Sequence, residues 1–132
     1  MRPAAPAPFI FLLLSLTLAM PASAQNWKRV SVADRYTAVY LDMDSVRVLD
    51  GGIRVAVSVI NYQTANGNEE SLLAGTLYDC LGSRKRDQFV RQSDAHWGKG
   101  IEIRISGEES KWFEVLGRSM GDSLQRAVCS SD

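Results

Sequence analysis

The sequence predicts an α+β fold: an antiparallel sheet of about six strands with one C-terminal helix tethered to it by a disulfide. Three observations point there. Apolar and polar residues alternate with a period of two in runs spread over residues 27–105, the mark of half-buried strands. After Ser119 the apolar spacing becomes that of a helix. Two cysteines, Cys80 and Cys129, follow an N-terminus that reads as an export signal, and an even cysteine count in a small exported domain reads as a disulfide.

Trp27 to Val32 and Tyr36 to Leu41 are the first two strands, with Asp34-Arg35 as the turn between them. Asp42-Met43-Asp44-Ser45 and Asp50-Gly51-Gly52 are turns rich in the residues that bend chains. Ile53 to Tyr62 is the clearest strand: Ile53, Val55, Val57 and Val59 face one way, Arg54 and Ser58 the other. A polar loop with Asn66-Gly67 leads into Ser71 to Cys80, where period two puts Leu72, Ala74, Thr76, Tyr78 and Cys80 on one face. Gly82-Ser83 turns the chain into Lys85 to Ser93. Gly100 to Ile105 alternates Ile101, Ile103 and Ile105 with Glu102 and Arg104, and Lys111 to Leu116 is a short extended piece. Ser119 with Asp122 matches an S-x-x-D capping pattern, and Met120, Leu124, Ala127 and Val128 then line one stripe of a helix from Ser119 to Val128. Such strands suit a sheet with one covered and one wet face.

Residues 1–24 are read as a signal peptide and residues 25–132 as the domain. Phe9 to Met20 is an uncharged apolar run of twelve residues, short of the roughly 20 that cross a bilayer as a helix. A basic start before it and Ala22-Ser23-Ala24 after it complete the secretory pattern, with cleavage expected before Gln25. No cysteine stands at that point for lipid attachment, so the periplasm is the expected location, with the cell surface or secretion as alternatives. Cleavage removes Arg2 alone among charged residues, leaving 14 basic against 15 acidic side chains. That balance argues against a nucleic-acid partner, which needs a basic face. Two cysteines and one histidine fall short of a closed zinc site. A Cys80–Cys129 bond closes a span of 49 residues, worth roughly 4 kcal/mol by chain entropy.

An ordered set of short segments resembles the surface-adhesin protein E family. It runs from Trp27 through Val39-Tyr40-Leu41-Asp42, Ser45-Val46, Asn61-Tyr62, Ser71 and Tyr78-Asp79-Cys80. It continues with Trp97-Gly98-Lys99-Gly100, Trp112 and Ala127-Val128-Cys129. The resemblance implies a six-stranded antiparallel sheet with a disulfide-held C-terminal helix. It also implies an adhesin role, with relatives that bind host matrix proteins, bind haem and dimerise.

Two clusters are candidate ligand-binding residues. Arg84, Lys85 and Arg86, with Arg91, form the densest basic run, suited to acidic glycans, anionic lipid or an acidic protein segment. The same charges also serve as solvated guards of an edge strand, and adjacent residues of a strand cannot all face one way. His96-Trp97 precedes the Gly98-x-Gly100 turn; an exposed histidine beside an aromatic suits haem or a metal, while Trp97 otherwise packs beneath its loop. Asp42 and Asp44 flank a turn and are expected to bond backbone amides rather than act as a hydrolytic pair. Glu108-Glu109 reads as a solvated pair. No phosphate loop, nucleophile elbow or metal-protease helix occurs.

The leading expectation is an exported, non-enzymatic binding module with a protein or glycan partner, host extracellular matrix included, able to form a homodimer. The alternatives are a periplasmic protein-binding or inhibitor domain with no host contact, and haem or metal binding through His96. No other cofactor is expected.

Overall fold

The computed structural model describes residues 25–106 and 111–131. The leader expected at 1–24 and the pair Glu108-Glu109 lie outside the described residues.

Strands β1 (Trp27–Asp34) and β2 (Thr37–Asp42) form a hairpin. Its turn is fixed by Asp34, whose Oδ1 accepts the Tyr36 amide at 2.7 Å. Beyond β2 the chain makes a 3-10 turn, Met43–Ser45, capped by Asp42 Oδ1 on the Asp44 amide at 3.1 Å. This is the backbone role expected of Asp42. A two-residue strand, β3 (Arg47–Val48), then rejoins the edge of β4 (Ile53–Gln63) that β2 also occupies. The interruption takes the ladder partner from the Val57 amide, and Ser45 Oγ replaces it at 2.8 Å while donating to the Asp42 carbonyl at 2.7 Å. A backbone donor inside a sheet has to be satisfied somewhere.

Strands β5 (Glu69–Asp79), β6 (Arg84–Ser93), β7 (Glu102–Ser106) and β8 (Phe113–Glu114) complete an antiparallel sheet. Its order is β1-β2-β4-β5-β6-β7, with β3 on β4 and β8 on β6. The six principal strands and the short piece before the helix are those expected; β3 was too short to show a period.

Helix α1 (Met120–Ser130) starts at its expected cap, Ser119 Oγ accepting the Asp122 amide at 3.1 Å. The Asp122 carboxylate reaches back to the Arg118 amide at 3.1 Å, one residue before the cap that a capping box would bond. At the other end Arg54, reaching over from β4, donates to the carbonyls of Val128 and Ser131 and sets a cation against the negative end of the helix. Leu124 and Val128 pack on Val39, Leu41, Ala56 and Tyr78 to form the core. Gln125 is buried with them, its amide satisfied by the Asp79 carbonyl at 3.0 Å. Met120, expected on the apolar stripe, is exposed: the stripe that meets the sheet begins one turn later, at Leu124.

One expectation about the faces is corrected. The helix packs on the face of Ala56 and Ile60, not on that of Val55, Val57 and Val59. Val59 is nonetheless fully buried, because the opposite face is covered too, by the turn at His96–Gly98. A sheet with one wet face is therefore not what forms; each face carries a partial cover. Neither cover reaches β7 or the residue before it: Ile101, Ile103 and Ile105 are 74%, 52% and 57% exposed. Their alternation marks a strand at the sheet's edge, not a buried one.

The Cys80–Cys129 disulfide forms as expected, joining the residue after β5 to the last turn of α1 across a Cα separation of 5.7 Å. Asp79 beside it accepts the Leu81 and Gly82 amides at 3.1 and 2.9 Å and the Arg84 guanidinium at 2.9 Å. The Arg84 hydrogen bond, then those amides, hold its carboxyl below the usual range.

Replacing Cys129 with Ser should cost about 2–4 kcal/mol of unfolding free energy, read as a lower urea midpoint; an unchanged midpoint would show that the crosslink adds nothing. The depressed carboxyl of Asp79 gives a second expectation. Its contribution is present above the unfolded value of about 3.9 and is lost as pH falls through the folded one. On acidification below about pH 4 the wild-type midpoint should drop more steeply than that of Asp79→Asn, and parallel curves would refute the linkage.

Candidate functional site

After Ser93 the chain must reverse into β7, and it does so through a tight turn at His96–Gly98. Trp97 takes φ 66° and ψ 22° there, the left-handed region that a bulky side chain avoids. Such a conformation costs on the order of 1–3 kcal/mol and persists only where its surroundings over-determine it. They do so here. The Trp97 amide donates to Asn61 Oδ1 at 2.8 Å and the Gly98 amide to Ser71 Oγ at 2.9 Å. The Ser71 hydroxyl in turn donates to the Ala95 carbonyl at 2.7 Å. Asn61 and Ser71 are buried on neighbouring strands, opposite each other in register. Glycine suits position 98 on two counts: its φ is 69°, and a Cβ there would press on Leu73 Cδ2 at 3.2 Å.

The strained turn lays the Trp97 indole against Tyr40, with ring centroids 4.5 Å apart at 59°, and against Trp27 at 5.8 Å and 36°. Register places Arg29 beside Tyr40 on β1. A shallow cleft of about 300 Å³ results between the β1–β2 hairpin and the turn, lined by Arg29, Arg35, Tyr36, Tyr40, His96 and Trp97 among others. Arg35 lies over the Tyr36 ring at 5.5 Å. Asp34 also lines the cleft, its Oδ1 held by the Tyr36 amide. Arg29 has no hydrogen-bond or ion-pair partner among the described residues.

His96 contributes one edge. Its Nε2 sits 3.0 Å from the Tyr62 carbonyl. A carbonyl only accepts, so Nε2 carries a proton and Nδ1 is the nitrogen left for another partner. That Nδ1 lies 3.9 Å from Glu69 Oε2. A haem iron or metal would therefore have to take Nδ1, beside a carboxylate. Among the described residues no group of three His, Cys, Asp or Glu side chains is placed to hold a metal.

His96 and Trp97 are thus brought into one site, while the basic run is spread out. Pairing with β5 sets Arg84, Arg86 and Arg91 opposite Asp79, Leu77 and Leu73 on the face that carries Trp97, and Lys85 opposite Tyr78 on the helix face. Arg84 pairs with Asp79 and stacks over Trp112 at 5.3 Å; Arg91 lies 3.8 Å from Glu102; Arg86 is also partnered. Arg29, Arg35 and Tyr36 were not anticipated as site residues. Their signal was present as a hairpin with arginine on one strand and at the tip. Only cross-sheet pairing shows that Tyr40 and Trp97, 57 residues apart, meet beside them.

Over residues 27–130 the chain matches the family model of surface-adhesin protein E. Among solved structures it is similar to Haemophilus influenzae protein E in crystal form II, at 14% identity and TM-score 0.57, covering 70% of this chain and 80% of that one. A second structure of Haemophilus influenzae protein E gives 14% and 0.57, covering 79% and 83%. Protein E from non-typeable Haemophilus influenzae gives 14% and 0.55, covering 86% and 82%. At that identity the likeness is one of fold. No curated protein matches the sequence. A family match over nearly the whole described chain, on a sheet and helix that these structures share, makes the chain a member of the surface-adhesin protein E family.

Proposed function

We propose that the chain is an exported, non-enzymatic, adhesin-like module that holds a protein or glycan partner at the cleft between the β1–β2 hairpin and the Trp97 turn. One observation carries the reading. The fold accepts a left-handed tryptophan, held by buried Asn61 and Ser71, and so sets an aromatic platform beside arginines. Strain of this kind gathers at functional sites.

The acidic side chains favour binding over catalysis. Asp34, Asp42, Asp79, Asp94 and Asp122 each accept a backbone amide and so fasten a turn or a cap. The His96 Nε2 donates to the Tyr62 carbonyl, whereas a general-base imidazole accepts from a hydroxyl nucleophile. Arg84, Arg86 and Arg91 share the sheet face of the cleft but are already partnered, which leaves Arg29 at the cleft as the cation that draws an acidic partner in. Export follows from the leader pattern of residues 1–24 and from the family's surface role.

The test is binding to immobilised extracellular-matrix glycoproteins by the wild type, Trp97→Gly and Trp97→Phe. Glycine relaxes the backbone and removes the platform, so affinity should fall at least tenfold while the disulfide and the thermal transition persist. Phenylalanine keeps a ring and should bind within a few-fold of wild type. Equal binding by Trp97→Gly and wild type would remove the cleft from the function. Protease digestion of intact against permeabilised cells separates surface display from the periplasm.

A further inference from the structure

We infer that the cleft accepts an acidic oligosaccharide, one that carries carboxylates on more than one of its sugar rings. The inference rests on the binding reading above and names its ligand class. Arg29 and Arg35 both line the cleft, but they stand six positions apart on β1 and its turn. At a strand rise of about 3.3 Å per residue their backbones stand up to about 20 Å apart, a spacing that favours two anionic groups over one shared carboxylate. They mark two anionic positions. Each guanidinium presents the planar fork that matches a carboxylate, and Arg29 has no partner within the described chain.

Between the two arginines the surface is aromatic and partly open. Tyr36 is 53% exposed, and Tyr40 and Trp97 are half-buried with their rings in contact. Rings of this kind give a flat apolar body with a polar handle, the complement of a sugar ring with one C–H face and hydroxyls around its rim. The cleft, at about 300 Å³, is at the lower limit of small-molecule sites and admits a ring or two while a longer chain runs out of its ends. An acidic peptide is the less favoured occupant. The cleft floor is a sheet face, whose backbone groups lie in the plane of the β1–β2 and β2–β4 ladders and not toward the cleft. The unpaired row of β1 lies at the sheet's edge, so a peptide strand lying in the cleft meets side chains and no row of free amides.

Two acids oppose an anion here: Asp34, whose Oδ1 is tied into the hairpin turn by the Tyr36 amide, and Glu69, which stands beside His96 at the cleft's edge.

The experiment titrates the protein with a hyaluronan hexasaccharide, an α2,8-linked sialic acid tetramer, free glucuronate and neutral chitohexaose. The readout is tryptophan fluorescence, to which Trp27 and Trp97 report from the aromatic cluster. Saturable, salt-sensitive binding of one or both acidic oligomers is expected, at least tenfold tighter than glucuronate or chitohexaose. Arg29→Gln and Arg35→Gln should each weaken it five-fold or more with no change in the thermal transition, since both side chains are exposed. Which oligomer binds distinguishes a uronate source from a sialate source. Equal binding of chitohexaose, binding of poly-glutamate in place of both sugars, or indifference to both arginine changes would overturn the inference. If the acidic sugars fail while matrix-glycoprotein binding still depends on Trp97, the ligand class is wrong and the binding site stands. If that dependence fails as well, both readings fall.

Discussion

The crosslink between Cys80 and Cys129 is the constraint on which the remaining architecture depends. The core between sheet and helix is thin: Val39, Leu41, Ala56, Tyr78, Leu124 and Val128 make up its buried apolar part among the described residues. So small a cluster gives a single helix limited hold on a twisted sheet, and small exported domains commonly add a disulfide for that reason. The bond sits where the polar fastenings also gather. Asp79 closes the turn after β5, Gln125 reaches its carbonyl from the helix, and Arg54 covers the helix end. Burial drives the Tyr78 hydroxyl's pKa far up, so this ring stays neutral within the core. Covalent, polar and apolar contacts thus secure one face of the sheet.

With α1 committed to that face, the other is free to build a site. The division explains the strand whose valines look away from the helix. Val55, Val57 and Val59 line the face on which Asn61, Ser71 and Leu73 support the Trp97 turn. What reads along one strand as a core stripe is the floor beneath a loop. The site inherits rigidity from buried side chains on β4 and β5, while its ligand-facing groups come from a hairpin and a turn. That arrangement lets surface residues vary without disturbing the frame.

Much of the fold was legible in the sequence because its signals are local. Period-two alternation marked the strands, Ser119 with Asp122 marked the helix start, and the cysteine count marked the crosslink. Polarity of facing was not legible. Val57 is a good strand residue and Ala56 a weaker one, yet Ala56 meets the helix, a choice made by partners as distant as Val39 and Val128. The site was visible in fragments. His96 and Trp97 stood out beside glycines, but the left-handed tryptophan depends on Asn61 and Ser71, which reach it from other strands. The dense basic run suggested a patch, and the pleat spreads it over two faces. Arg29 and Arg35 attract no notice until a hairpin sets them beside two aromatic rings drawn from elsewhere in the chain.

The order in which the crosslinked residues emerge also shapes how the molecule is made. Cys129 follows Cys80 by 49 residues, and all the strands of the sheet precede it. As the chain appears N-terminus first, β1 to β6 can pair before the second thiol arrives. Those pairings join neighbours in sequence, hairpin upon hairpin, and close early. The helix comes last in the chain, and oxidation converts its docking on the sheet from a reversible contact into a permanent one. Maturation thus ends with a latch whose closure requires an oxidising environment.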